Sequence, residues 1–544
     1  MSANILEPSG ESRAGRKLFD LCLRCMIGYL LGMAALWVIG VEGIYLNATP
    51  FYAYLSPVFD SLLVPAAALL LMGAVVFVVR RWVWPRERVS WRRTGAFAAV
   101  WLFAVLIVAS AIPLEARQNG VTVAAALASK WAAFRWNVLA VVVFTGGLIA
   151  WIVAAQRLGW RDGIPSERAA GWMLVAIVFF VFVFSASIAL LRDGIGGITM
   201  AYDRHASEYI GDIGRGMSIR GLFRDYLTLH PYLSMHAKVH PPGPIAMLWL
   251  LSYVAGRGSF GLSLATMAVG SLSVVPLYYW VRDLFDRRVA LTCCLLFALM
   301  PSVVLFTATS ADILFMPLTL TTLFLFWRAM HRASIGYACG AGVLYAAMSL
   351  TSFSLVSVGA FFGFVGLWRM LRPEGRLSVI RTAVVMGASF LATHALVYFW
   401  SGFDIVACFW ACHDQFRLDQ THLDALTPRL PAWTYWILNP MCWLYFAGIP
   451  TSVLCLRRWS RPEAQTKALF LTFLLTLVAL NFLYLARGEG ERSAMYVMIF
   501  FVIPAAQMLD RKTQQARSLG PIVAACSFLG LQCWFTESLF NTYW

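Results

Sequence analysis

The run Ala201-Tyr-Asp-Arg-His-Ala-Ser-Glu-Tyr-Ile-Gly-Asp212 gathers Asp203, Glu208 and Asp212 in a chain with only 27 Asp and Glu in 544 residues. Carboxylates at this density can take a proton from a hydroxyl group or hold a divalent cation. They can equally pair with Arg204, Arg215 and Arg220 on a solvated loop. The stretch ends in Lys238-Val-His-Pro-Pro-Gly-Pro244, whose prolines fix the backbone and stop a helix. A rigid turn would hold Lys238 and His240 at headgroup depth, where a cation can neutralise a lipid phosphate, although a plain stop-and-turn element explains the prolines as well. His236 and His240 have the spacing of a helical zinc pair, but Pro241 follows at once and no carboxylate motif completes a site. Further along, Asp312 follows Thr309-Ser-Ala at the start of an apolar run, as a helix cap or as an acid facing a cavity. Ala486-Arg-Gly-Glu-Gly-Glu-Arg492 packs Arg487 and Arg492 into a short turn that suits anion contact or simple solvation.

Lipid must surround the elements that position these residues. The chain is 60% hydrophobic and 13% charged, against ~45–50% apolar and ~25% charged in soluble domains. Apolar runs of roughly 17–22 residues, each able to cross ~30 Å of hydrocarbon as a helix, recur from Leu21 onward. The fold class is all-α, a polytopic bundle of about fifteen spans near 21–42, 60–79, 95–113, 136–155, 171–191, 262–281, 289–308, 313–329, 335–350, 352–370, 381–401, 433–456, 467–485, 493–509 and 518–535. No Gly-rich phosphate loop accompanies them, which argues against an ATP-driven pump. The net charge of +16 is spread over short basic loops, such as 80–93, 282–288, 369–381 and 511–517. That is the positive-inside pattern rather than a nucleic-acid surface. The 11 cysteines have no framework spacing and read as packing residues. Arg13, Arg16 and Lys17 precede an apolar run with no small-residue cleavage site, so the first helix is expected to be uncleaved.

With the basic loops placed inside, the N-terminus is cytoplasmic, the C-terminus extracytoplasmic and the chain a multi-pass protein of the cell (inner) membrane. Pro244–Ala255 is too short to span comfortably and reads as an interfacial helix. Two long outer loops result, 192–261 and 402–432, and they contain His205, His230, His236, His240, His413 and His422, six of the eight histidines. Residues 1–170 read as a four-helix extension, and 171–544 as the functional membrane module.

Taken in order, these pieces resemble the GT-C superfamily of membrane glycosyltransferases, particularly the branch of protein O-mannosyltransferases and lipid A aminoarabinose transferases. The resemblance covers roughly Gly171 to the C-terminus. It rests on the acidic run Asp203–Asp212, on His240-Pro-Pro-Gly before a juxtamembrane helix, on Pro301 to Asp312, and on Phe409-Trp-Ala-Cys-His-Asp-Gln-Phe-Arg417 in the later outer loop. The family often carries a D-x-D or D-E pair, whereas here one member of that pattern is evident at Asp203, which leaves Asp203 and Glu208 as alternative bases. The large soluble outer domain of some branches is absent. The resemblance implies transfer of a sugar from a polyprenyl-phosphate donor to a lipid, glycan or protein acceptor at the extracytoplasmic face. Asp203 would be the base that deprotonates the acceptor hydroxyl, so that Asp203→Asn should abolish transfer, with Glu208 as the alternative catalytic carboxylate. Lys238, His240, Asp312, His413, Arg417, Arg487 and Arg492 would serve in substrate binding, and a divalent metal is left open. The competing reading is a glycolipid transporter or flippase without chemistry. Transporters place ionisable groups at the bilayer midplane, where this chain offers mainly His394 and Arg24.

Overall fold

A computed structural model describes residues 123–157, 160, 163–426, 435–460, 464–483 and 490–539. The expected spans 21–42, 60–79 and 95–113, with Arg24 and Arg487, lie outside the described residues. Among the described residues all regular structure is helical, as a chain dissolved in lipid requires, because a helix satisfies its own backbone groups.

Each of the other expected spans coincides with helical structure. Among the described residues, seven helices are long and apolar enough to cross a membrane, and eight if Arg287–Ala298 and Pro301–Thr309, bent by 54°, count as one. Ile335–Thr351 and Gly243–Ala255 are shorter apolar helices. Three expected helices are broken. Ser259–Ser271 is separate from Val274–Leu284, Arg287–Ala298 from Pro301–Thr309, and Tyr435–Phe446 from Ile449–Ser460. The second break is at Pro301, which cannot donate into a continuing helix. The third is at Gly448, whose φ of 97° suits glycine. The expected outer loop 402–432 contains the helix Ile405–Leu426.

Aromatic packing holds the bundle centre. Phe361 packs against Trp280 at 5.7 Å and Phe473 at 6.0 Å, and Phe473 against Phe500 at 5.4 Å, which joins four helices. Buried polar pairs hold one end. Arg288 Nε donates to Asp510 Oδ1 at 3.1 Å, Arg458 Nε to Gln507 Oε1 at 2.7 Å, and Arg328 pairs with Asp283. Both Phe315–Arg332 and Met495–Ala516 reach this basic end, and their other ends carry Asp312 and Arg492. Helices of 18 and 22 residues span on the order of 30 Å. The two polar ends of the bundle therefore stand about one hydrocarbon thickness apart.

Candidate active site

The end opposite the arginines is built from residues 201–243. Two backbone hydrogen bonds, Met235 N to Ala206 O at 3.1 Å and His236 N to Ser207 O at 3.0 Å, lay the segment before Lys238 along the acidic run. Asp212 is fully buried and locks this pairing, accepting from Ser234 N at 2.9 Å and forming an ion pair with Arg215, whose Nε is 2.7 Å from Oδ1. The register sets Glu208 against His236, with Oε1 3.1 Å from Nδ1, and Glu208 is only 5% accessible. Tyr209 lies beside both rings, its centroid 6.2 Å from His236 and 5.9 Å from His240.

The turn that carries His240 is clamped from behind. The buried Tyr226 hydroxyl donates to the carbonyls of Ala237 and His240 and lies 3.5 Å from Cys412 Sγ on helix Ile405–Leu426. His230 Nε2 bonds the Lys238 carbonyl at 2.8 Å. After the prolines, Gly243 meets helix Ile335–Thr351 so closely that a Cβ would come within 2.2 Å of the Leu350 carbonyl oxygen. Glycine is what brings His240 to the Thr351 backbone, to which its ring hydrogen-bonds.

Asp312 and Arg492 complete the group from distant parts of the chain. Asp312 lies in the 3₁₀ turn Ala311–Leu314, whose start is capped by Ser310 Oγ accepting from the Asp312 N–H at 3.1 Å. Its Oδ2 is 3.2 Å from Nε of Arg492, which sits in the helical turn Gly490–Ser493 and is 6% accessible. The His240 ring feels Asp312, His236 and Arg492, and its Nδ1 is buried with no hydrogen-bond partner among the described residues.

Burial pushes the His240 imidazole down to about 4, assisted by His236 and Arg492 and opposed by Asp312 and the Thr351 hydrogen bond. At neutral pH the ring is uncharged, so it acts through its nitrogens and leaves the cationic role to Arg492. An unfolded imidazole takes its proton near ~6.5. Between there and about 4 the unfolded chain binds more protons than the native one, so the contribution is intact above pH ~6.5 and is lost as pH falls. The melting temperature in detergent is expected to drop between pH 7.5 and 5, and His240→Gln to shrink that drop. An undiminished drop in the variant would place the ring in solvent.

The structure thus gathers Glu208, His240, Asp312 and Arg492 from the residues singled out in the sequence, and adds His236. The sequence signals for His236 were its spacing from His240 and its place among the six histidines of the expected outer loops. Asp203 is exposed at the end of helix Ile195–Asp203, where hydrogen bonds from Ser259 and Thr199 hold its carboxyl below the usual range, and no ion pair among the described residues joins it to the group. Lys238 contributes its carbonyl to His230. His413 packs between Phe409 and Trp410, Arg417 is exposed on the same helix, and no hydrogen bond or ion pair among the described residues joins either to the group. No three His, Cys, Asp or Glu side chains among the described residues are arranged to hold a metal ion.

Two carboxylates, two imidazoles and a buried arginine at one end of a transmembrane bundle can move a proton and receive an anion next to lipid. Comparison with known proteins adds one finding. Residues 239–400, which include His240 and Asp312, match the model of the family described as dolichyl-phosphate-mannose-protein mannosyltransferase. No curated protein matches the chain. The family match over part of the chain, together with the apolar helical bundle, supports a membrane glycosyltransferase of the GT-C type.

Proposed function

We propose that the chain transfers a sugar from a polyprenyl-phosphate carrier to an acceptor hydroxyl at the extracytoplasmic face, with Glu208 as the base. The observation that carries this reading is the convergence of Glu208–His236 with His240 and Asp312–Arg492 at the bundle end opposite the basic loops. Glu208 takes the acceptor proton, and the freed oxygen bonds to the anomeric carbon. The bond from that carbon to the phosphate oxygen breaks, and its electron pair leaves with the carrier phosphate. Such a single displacement inverts the anomeric centre.

Arg492, oriented through Nε by Asp312, stabilises the charge that develops on the phosphate, and the His240 imidazole offers Nδ1 as a further hydrogen-bonding atom. His236 positions the Glu208 carboxylate. A lipid-linked donor arrives from the bilayer, which agrees with a chain whose polar group sits directly on membrane helices. Lipid, glycan and protein acceptors all present the hydroxyl that this chemistry needs.

The test supplies purified protein with radiolabelled polyprenyl-phosphate sugars and a membrane-extract acceptor mixture. Wild type is expected to form labelled product, and Asp203→Asn to retain its rate within about threefold, as befits an exposed surface substitution. Loss of transfer in Asp203→Asn would return the base to the exposed acid. Absence of product with every donor, alongside protein-dependent movement of a glycolipid across proteoliposomes, would overturn the transferase reading in favour of transport.

A further inference from the structure

Away from this site, helices Phe315–Arg332, Ile335–Thr351, Gly359–Met370 and Arg376–Ser401 enclose a cavity of about 560 Å³. Its lining is almost wholly apolar, with Phe326, Tyr345, Phe362 and Phe390 towards the middle of the bundle and Met330 and Met370 towards the basic end. Two glycines in its wall, Gly363 and Gly387, look into open space, since a Cβ on either would meet nothing within 4 Å. The neighbouring Leu367, Val384 and Leu391 are exposed, as side chains facing lipid would be.

The segment that continues from Met370 at the basic end of the cavity is strongly cationic. Residues 369–381 hold Arg369, Arg372, Arg376 and Arg381 against a single acid, Glu374. Arg376 Nε donates to the carbonyl of Met370, which lines the cavity, at 3.2 Å. Arg372 lies over the Trp368 ring at 5.1 Å. Arg369 Nε is buried without a hydrogen-bond partner among the described residues.

We propose that this groove seats an anionic phospholipid of the leaflet facing the basic loops, one acyl chain in the cavity and the phosphate on Arg369 and Arg372. An apolar slot with arginines at one end is complementary to a molecule with an apolar tail and an anionic head. A zwitterionic lipid supplies the tail without the net charge. The carrier phosphate of the proposed reaction belongs to the opposite end of the bundle, so the groove is separate from that site.

The test equilibrates the full-length protein with phosphatidylglycerol or phosphatidylcholine vesicles, purifies it, and measures the retained lipid by native mass spectrometry. Wild type is expected to keep one phosphatidylglycerol and to discriminate against phosphatidylcholine. Arg369→Gln and Arg372→Gln should each weaken retention by about fivefold. Gly363→Phe, and independently Gly387→Phe, should abolish it by filling the slot. Equal retention of the two lipids would overturn the proposal. So would unchanged retention in both filled variants, which would mean that another part of the chain or a second copy covers the groove. Displacement by polyprenyl phosphate but not by added phosphatidylglycerol would also overturn it, by assigning the slot to a carrier tail.

Discussion

Glu208→Gln is expected to slow sugar transfer by about 10²- to 10⁴-fold, the range spanned by removal of a general base. Glutamine keeps the shape of the side chain and can still meet His236, whose Nδ1 is 3.1 Å from Oε1 in the native pair. What it cannot do is accept the proton of the acceptor hydroxyl. The backbone bonds that set the register, from Met235 to Ala206 and from His236 to Ser207, do not involve the side chain, so the folded protein should survive the change. Initial rates at saturating donor, measured beside thermal unfolding in detergent, separate the two effects. A large loss of rate with a native melting temperature supports Glu208 as base. A rate near wild type would shift the role to Asp312, the other carboxylate of the group, and would leave Glu208 as a structural partner of His236. The contrast with Asp203→Asn matters because both acids belong to the same short run, and Glu208 is the buried one that pairs with His236.

That contrast shows how far the sequence could be read. The helices were legible because lipid imposes long apolar runs and the basic loops mark one side. Their breaks near 272–273, 299–300 and 447–448 were harder to see, since apolarity continues across each one and only Pro301 and Gly448 hint at it. In the candidate site, a clustered acidic motif announced chemistry but not orientation. Glu208 turns inward because a segment almost thirty residues later pairs with the backbone beneath it, and such pairing leaves no local pattern. The H-x-x-x-H spacing first suggests zinc, yet in the fold His236 holds a carboxylate and His240 bonds the Thr351 backbone, so the two rings serve different partners. The neutrality of His240 was likewise out of reach, because its burial comes from Thr351, Phe315 and Tyr209, which belong to three separate elements. Asp312 and Arg492 each looked like a candidate, but nothing in either segment says that they meet.

Their meeting leads to the other large effect. Asp312→Asn is expected to destabilise the protein by about 3–5 kcal/mol, the usual result of removing one partner from a buried ion pair. The Asp312 and Arg492 side chains are only 13% and 7% accessible, so the guanidinium left behind would keep its charge where water compensates poorly. Arg492→Met alone should be comparably damaging, because it strands the carboxylate. The double variant Asp312→Leu/Arg492→Met removes both charges, and replacing a buried pair with apolar side chains of similar size is often neutral or stabilising. Its melting temperature should therefore recover towards wild type, whereas its transfer activity should not, since the cation that receives the phosphate is gone. A double variant as unstable as either single one would mean that the pair is held by contacts beyond its mutual charge. One that folds and transfers sugar at the native rate would remove Arg492 from the reaction and leave the pair as an architectural tie between the turn at 311–314 and the turn at 490–493. Stability and activity are thus expected to part in the double variant and to fall together in the single ones, and that divergence distinguishes a phosphate-receiving arginine from a merely buried one.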